Sequence, residues 1–319
     1  MQSLPLSWAL TPNNNFANEI PKLSFNNLVW VPYRTLETKA HFYNFISQQT
    51  LQSSNDLIIR GCNKYHVEEL SKRGFSSTKI GIEAILETSK NHFEKKSLTS
   101  LVKRGLRNGK VKQLTYSYEI SKQFNEFKKQ SVHSHKPQLQ NLFQTNFTSN
   151  NLLYIFESKQ NEWLGAILLS VNSKEKLHTE LILRKPNAPV GIIEALVYTI
   201  FFDAKNNGFK KVSLGEVPFI TKEKTKIKNY RVYIVVKLGT LFRFAYNYKG
   251  LYNFKNKFNP NWEFVYISVK PKLKLKHFAF LFVQSNLHKL VLFQLKEKLK
   301  NIKKIYNYPN FILRLLDFN

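Results

Sequence analysis

Cysteine is almost missing: Cys62 stands alone among 319 residues. One thiol closes no intramolecular disulfide and builds no thiolate metal site, so disulfide scaffolds and zinc ribbons are excluded and a reducing compartment is expected. Acidic residues are scarce as well, 21 Asp+Glu against 49 Lys+Arg, which leaves a formal charge of +28. Long apolar runs are also lacking. The most apolar stretch, residues 278–293, is broken by Gln284, Ser285, Asn286, His288 and Lys289 and falls short of the roughly 18 uncharged apolar residues of a spanning helix. The N-terminus has neither the basic start nor the apolar core of a secretory signal, so a cytoplasmic chain with no membrane-crossing segment is expected. No repeat is visible at the 20–50 residue scale, which argues against solenoids and propellers. A Gly-x-Ser-x-Gly elbow and a His pair at helical spacing are both absent, which removes the usual signatures of serine and zinc hydrolases.

What is present is a foldable, basic, aromatic-rich chain. Hydrophobic residues make up 43% and aromatic residues 14%, enough for packed cores rather than disorder. The positive charge is clustered: residues 221–257 hold ten basic side chains and one acidic, and residues 270–319 hold eleven and two. Such blocks suit a polyanion, either nucleic-acid phosphates or lipid headgroups. A general Lys and Asn bias of composition is the competing explanation.

Punctuation and periodicity divide the chain into an irregular lead-in (1–54), a first lobe (55–150), a second lobe (151–270) and a basic tail (271–319). In the first lobe, strands are expected at 56–60, 78–86 and 114–118, and helices at 66–73, 98–107 and 119–131. The second lobe reads as strands at 152–156, 163–171 and 177–183, a helix over 191–206 ended by Asn207-Gly208, then strands at 211–215 and 262–269. Antiparallel strands, a helix, then a further strand is the order of an acetyltransferase-like fold. The fold class expected is therefore α+β, with tandem GNAT-type lobes and mixed, largely antiparallel sheets. In the tail, Leu287, Leu290, Val291, Leu295, Leu299, Ile302 and Ile305 share a helical face. Lys289, Lys296, Lys300 and Lys303 lie largely opposite, the pattern of a basic amphipathic helix that either rests on a membrane surface or packs on the domain.

Three stretches carry a resemblance. Residues 244–263 hold Tyr246-Asn247-Tyr248-Lys249-Gly250-Leu251, then Lys255-Asn256-Lys257-Phe258-Asn259-Pro260-Asn261-Trp262. Residues 180–194 hold Glu180, Arg184, Pro186, Ala188-Pro189 and Gly191, and residues 213–218 read Ser-Leu-Gly-Glu-Val-Pro. Together they resemble the phosphatidylglycerol lysyltransferase C-terminal domain family. Gly81-Ile82-Glu83-Ala84 and the basic helix through Arg104 and Arg107 match its first lobe more loosely. The resemblance spans about residues 55–270 and does not extend to the multi-helix membrane domain fused to well-known members.

What the resemblance implies is transfer of an amino acid, lysine or another, from an aminoacyl-tRNA to a hydroxyl of an anionic membrane lipid such as phosphatidylglycerol. No cofactor beyond the aminoacyl-tRNA co-substrate is implied, nor any metal. Glu180 and Tyr246 are the catalytic candidates; Arg184, Glu216, Lys249, Lys255, Lys257, Arg104 and Arg107 are the substrate-binding candidates. Glu180 stands where the family has Asp, and Glu216 where it has Met. Cations interleaved with rings at 246–257 suit phosphate neutralisation and base stacking, or equally a helix with a solvated basic face. The turn 184–191 carries two prolines, which donate no N–H, and its glycine spacing differs from a pyrophosphate cradle, so coenzyme A is the weaker donor. The rival readings are an acyl-CoA-dependent or peptide/peptidoglycan N-acyltransferase of the same fold, and a non-catalytic RNA- or membrane-binding adaptor. Location at the inner face of the cell membrane is expected, with residues 271–319 touching its surface.

Overall fold

The computed structural model describes residues 3–10, 23–52, 55–220, 239 and 242–306. Its centre is one ten-stranded sheet. In chain order the strands are β2 (Leu23–Phe25), β3 (Leu28–Trp30), β5 (Asp56–Cys62), β6 (Ser76–Glu87), β7 (Gly109–Leu114), β8 (Asn151–Ser158), β9 (Trp163–Ser173), β10 (Lys176–Arg184), β11 (Lys211–Pro218) and β12 (Asn261–Lys270). Across the sheet they run β2-β3-β5-β12-β6-β11-β10-β9-β8-β7. A separate parallel pair joins β1 (Ala9–Leu10) to β4 (Thr35–Leu36). The helices are α1 (Lys39–Gln52), α2 (Lys64–Ser71), α3 (Lys96–Leu106), α4 (Tyr118–Gln130), α5 (Ile192–Asn206), α6 (Tyr248–Asn256), α7 (Leu275–Gln284) and α8 (Leu287–Tyr306).

The sheet is mostly antiparallel and the fold α+β. Segments 55–150 and 151–270 share it: β7 pairs with β8, and β6 lies between β11 and β12. The antiparallel run β8-β9-β10, the crossing through α5 and the parallel neighbour β11 reproduce the order expected for an acetyltransferase-like unit. Two local readings differ. The strand expected at 114–118 is Gly109–Leu114, because Ser117 instead caps α4 by accepting from the Ile120 N–H. The lead-in is not irregular throughout: it forms α1 and buries Trp8 and Trp30.

Burial explains the layers. Apolar residues of α3 and α5 (Leu98, Val102, Ile192, Leu196, Ile200) close one core against Ala84, Leu86, Ile167, Leu169 and Leu177. On α4, Phe124 and Phe127 close another against Leu153, Ile155 and Leu168, the alternation of two buried faces along β8 and β9. Where α3 crosses α5, two glycines meet: a Cβ on Gly105 would lie 2.3 Å from the Gly191 carbonyl oxygen. Gly191 also holds φ +100°, and its own Cβ would lie 2.1 Å from the Leu101 carbonyl. Gly191→Ala must therefore part the helices and strain the backbone. We expect it to lower the unfolding free energy by about 2 kcal/mol or more, read by urea denaturation.

Candidate functional site

The two strands of the parallel pair separate almost at once. β10 and β11 are in register only at Lys176–Lys211, Leu177–Val212 and His178–Ser213. Beyond that point both have irregular register with their outer neighbours, β10 between Thr179 and Leu181 and β11 between Ser213 and Glu216. Bulges at such places re-aim side chains and end pairing. Gly215, at φ +84°, occupies the divergence: a Cβ there would lie 3.4 Å from both the Thr179 carbonyl oxygen and the Lys255 Nζ. The ammonium of Lys255, carried by α6, thus reaches the gap between the strands. Its Nζ donates to the Glu216 carbonyl at 2.9 Å.

Local sequence makes α6 present this lysine inward. Asn247 caps the helix by accepting from the Gly250 N–H at 2.9 Å. Tyr248, Leu251 and Lys255 then follow at i, i+3 and i+7, one face, with Tyr248 and Lys255 both buried. Tyr252 of the same helix stacks on Trp262 of β12 with ring centroids 4.8 Å apart. The aromatic residues of the signature therefore seat the helix, and Trp262 is structural.

Around Lys255 the electrostatics are unusual. Burial pushes its pKa down to about 7, against the opposing attraction of Glu216 and Glu83. The Glu216 carboxylate pairs through Oε2 with Arg60 of β5, whereas its other oxygen, Oε1, is buried with no hydrogen-bond partner among the described residues. Tyr246 lies beside it; burial first and the Glu216 charge second raise the phenol to about 12, with Arg60 opposing. At neutral pH Tyr246 is therefore a hydrogen-bond donor and not a base.

A second buried group supports the first. Burial disfavours ionisation of Glu83, but Lys176 and His178 outweigh it and hold the carboxyl well below the usual range. Lys176 Nζ sits 2.8 Å from Glu83 Oε1, Ser213 Oγ donates to the same carboxylate, and His178 Nδ1 is 3.1 Å from Ser213 Oγ. The Gly215 N–H also donates to Ser213 Oγ, at 3.0 Å, which ties this network to the divergence point. Lys176 faces a polar cavity of about 350 Å³ at the N-terminal ends of β10 and β11, where Lys210 pairs with Glu175 and Lys211 with Glu263. Among the described residues no group of three His, Cys, Asp or Glu side chains is placed to hold a metal ion.

The depressed pKa of Lys255 has a thermodynamic sign. Between pH about 7 and 10.5 the unfolded chain keeps on this lysine a proton that the folded chain has lost. Unfolding then takes up a proton, so the lysine's penalty on stability is full below pH 7 and shrinks as the pH rises. Lys255→Met should accordingly be more stable than the wild type at pH 6, with the advantage narrowing toward pH 10 in paired urea titrations.

The predicted residues do not all gather there. Tyr246, Glu216 and Lys255 form one cluster. Glu180 is buried, but its carboxylate accepts from Ser170 Oγ at 2.6 Å, Ser7 Oγ at 2.9 Å and the Gln144 N–H at 2.9 Å. It is a fully bonded joint between β10, the N-terminal segment and the 131–150 connection, and it is not paired with Arg184, which is exposed. Lys249, Lys257, Arg104 and Arg107 are also exposed. Lys257 reaches Glu194 in the first turn of α5 at 3.1 Å, and Arg104 flanks Gly105, which packs on the start of α5. Sequence did not single out Arg60, Lys176 or His178; Ser213 entered only as part of the 213–218 stretch and Glu83 only as part of a loose match.

Antiparallel strands, a crossing helix and a parallel strand that parts from its neighbour are the order of an acetyltransferase-like unit, and the protein is an enzyme of the acyltransferase class. The particular family follows from its sequence. Residues 42–269 match the family described as phosphatidylglycerol lysyltransferase, C-terminal, and the chain belongs to that family, which at family level moves an aminoacyl group to a lipid. Comparison with curated protein sequences gives no match. Among solved structures, that of L-PGS from Bacillus licheniformis is similar with a TM-score of 0.61 at 18% identity, over 82% of this chain and 83% of that one. The C-terminal domain of a putative lysylphosphatidylglycerol synthetase from Agrobacterium fabrum gives 0.60 at 16% identity, over 83% of each chain. At these identities the likeness concerns the fold.

Proposed function

We propose that the chain transfers an amino acid from the ribose ester of an aminoacyl-tRNA to a hydroxyl of an anionic lipid, phosphatidylglycerol in the first instance, at the inner face of the cell membrane and with no cofactor. The observation that supports this most is Lys255, a buried amine with a pKa near 7 where β10 and β11 part. A neutral amine there can take the proton of the lipid hydroxyl as its oxygen attacks the ester carbonyl carbon. When the bond from that carbon to the ribose oxygen breaks, the same proton goes to the departing oxygen. One ester replaces another, so no oxidant, metal or energy source enters the balance, and proton transfer with alignment can supply the acceleration.

Glu216 Oε1, buried and without a partner among the described residues, is suited to the ammonium of the aminoacyl group, and Tyr246 is suited to donate to oxygen as charge develops there. The exposed cations Arg104, Arg107, Arg184, Lys249 and Lys257 are suited to tRNA phosphates; Arg104 borders the N-terminus of α5, where the helix dipole favours an anion, and Lys257 is paired there with Glu194. The test is incubation of the purified chain with phosphatidylglycerol vesicles and tRNA charged with labelled lysine or alanine. Label should enter the chloroform phase, and none should enter when the charged tRNA is digested with ribonuclease beforehand. Label that enters lipid from the free amino acid or an acyl-CoA, or that enters a peptide amine in place of lipid, would overturn this reading.

A further inference from the structure

The tail beyond residue 270 lies outside the family match and forms two helices, α7 and α8, bent by 69° at their junction. No single described helix is long and apolar enough to cross a membrane; this bent pair passes by length and composition alone. Its first helix is bolted to the body. His277, fully buried, places Nε2 2.9 Å from Asp56 Oδ2, Lys276 pairs with the same carboxylate at 2.6 Å, and Leu273 and Phe280 sit in the core beneath β5 and β12. The bend is pinned too, by Asn141 Nδ2 donating to the Gln284 carbonyl at 2.9 Å and Asn286 Nδ2 to the Gln138 carbonyl at 2.8 Å. Leu290 and Val291 of α8 are buried.

Beyond that turn the helix exposes what it should hide. Leu292, Leu295 and Leu299 stand at i, i+3 and i+7 with exposures of 56%, 41% and 59%. Lys289, Lys296 and Lys300 are exposed beside them. Lone exposed leucines are ordinary, but an aligned strip flanked by lysines is the pattern of a helix lying in a bilayer interface. We propose that α8 docks this enzyme on an anionic bilayer, the three leucines entering the acyl boundary and the lysines meeting lipid phosphates. Charge decides the occupant. Residues 270–319 carry eleven basic and two acidic side chains, in a chain of +28, so a second copy would be repelled. A nucleic acid would use the lysines and leave the leucines wet. With α7 held in the core, the pair lies on the membrane and does not span it. The Lys298 ammonium lies 4.5 Å over the Phe244 ring, two residues before Tyr246, so α8 packs beside the segment that leads into the candidate site.

Flotation of the full chain with vesicles tests this without any aminoacyl donor, so its failure and a failure of the transfer reading are separate results. The wild type should float with phosphatidylcholine vesicles containing phosphatidylglycerol and stay in solution with phosphatidylcholine alone. Leu292→Ser, Leu295→Ser and Leu299→Ser combined should weaken binding about tenfold or more while leaving the melting temperature unchanged. Lys289→Gln, Lys296→Gln and Lys300→Gln combined should reduce binding and its salt sensitivity. Equal flotation of the leucine variant, equal binding to neutral vesicles, or wild-type self-association that the leucine changes abolish would overturn the proposal.

Discussion

Lys255→Met is expected to cut transfer by about 10²–10⁴-fold, the range for losing a positioned general base, in a protein that remains folded. The separation of activity from stability follows from the site itself. A buried amine with its pKa near 7 costs stability whenever it is protonated, so an apolar side chain of similar length relieves a burden as it removes the base. The wild-type rate, read as kcat/KM against pH, should climb through about pH 7 as Lys255 loses its proton, and the residual rate of the variant should lack that limb. Lys255→Arg, which cannot deprotonate, should fail as badly as the methionine variant. A loss below about threefold in either variant would remove proton transfer by Lys255 from the mechanism.

Glu83→Ala should act in the opposite sense, on the fold before the chemistry. Its carboxylate is the counter-charge of Lys176, whose side chain is as buried as its own. Cutting it away strands an ammonium between β6, β10 and β11 and removes the acceptor of Ser213. Breaking one partner of such a pair costs about 3–5 kcal/mol. Adding Lys176→Met to Glu83→Ala should recover part of that loss, and the double-mutant cycle should give a coupling well above about 1 kcal/mol, because the groups touch. Loss below about 1 kcal/mol for the single variant, by urea titration near pH 7, would mean that the pair does not bind these strands together.

The reach of sequence reasoning is visible in these two residues. Local patterns placed β8, β9, β10, α5 and β11 within a few residues, because alternation, a 3.6-residue period and the Asn207-Gly208 stop are all written within short stretches. The signature around 244–263 led to Lys255, and the i, i+3, i+7 spacing of Tyr248, Leu251 and Lys255 separates it from the solvated Lys249 and Lys257. Glu83 and Lys176 are 93 positions apart, and Arg60 and Glu216 are 156 apart. No periodicity couples such residues; only the insertion of β12 between β5 and β6 and the parallel turn of β11 beside β10 bring them together. Glu180 illustrates the converse. The resemblance makes it a catalytic candidate, and one of the partners that close it, Ser7, comes from 173 residues away in a lead-in rich in prolines and amides.

The proposed transfer carries an amino acid to a lipid through the site at Lys255. Its most direct test is mass analysis of lipids extracted from phosphatidylglycerol-containing cells that make the wild-type chain, the Lys255→Met variant or neither. A new species heavier than the parent lipid by one amino-acid residue should arise with the wild type and be lost with the variant at equal protein level. Identical lipid profiles in all three, with the wild-type protein folded and abundant, would contradict it.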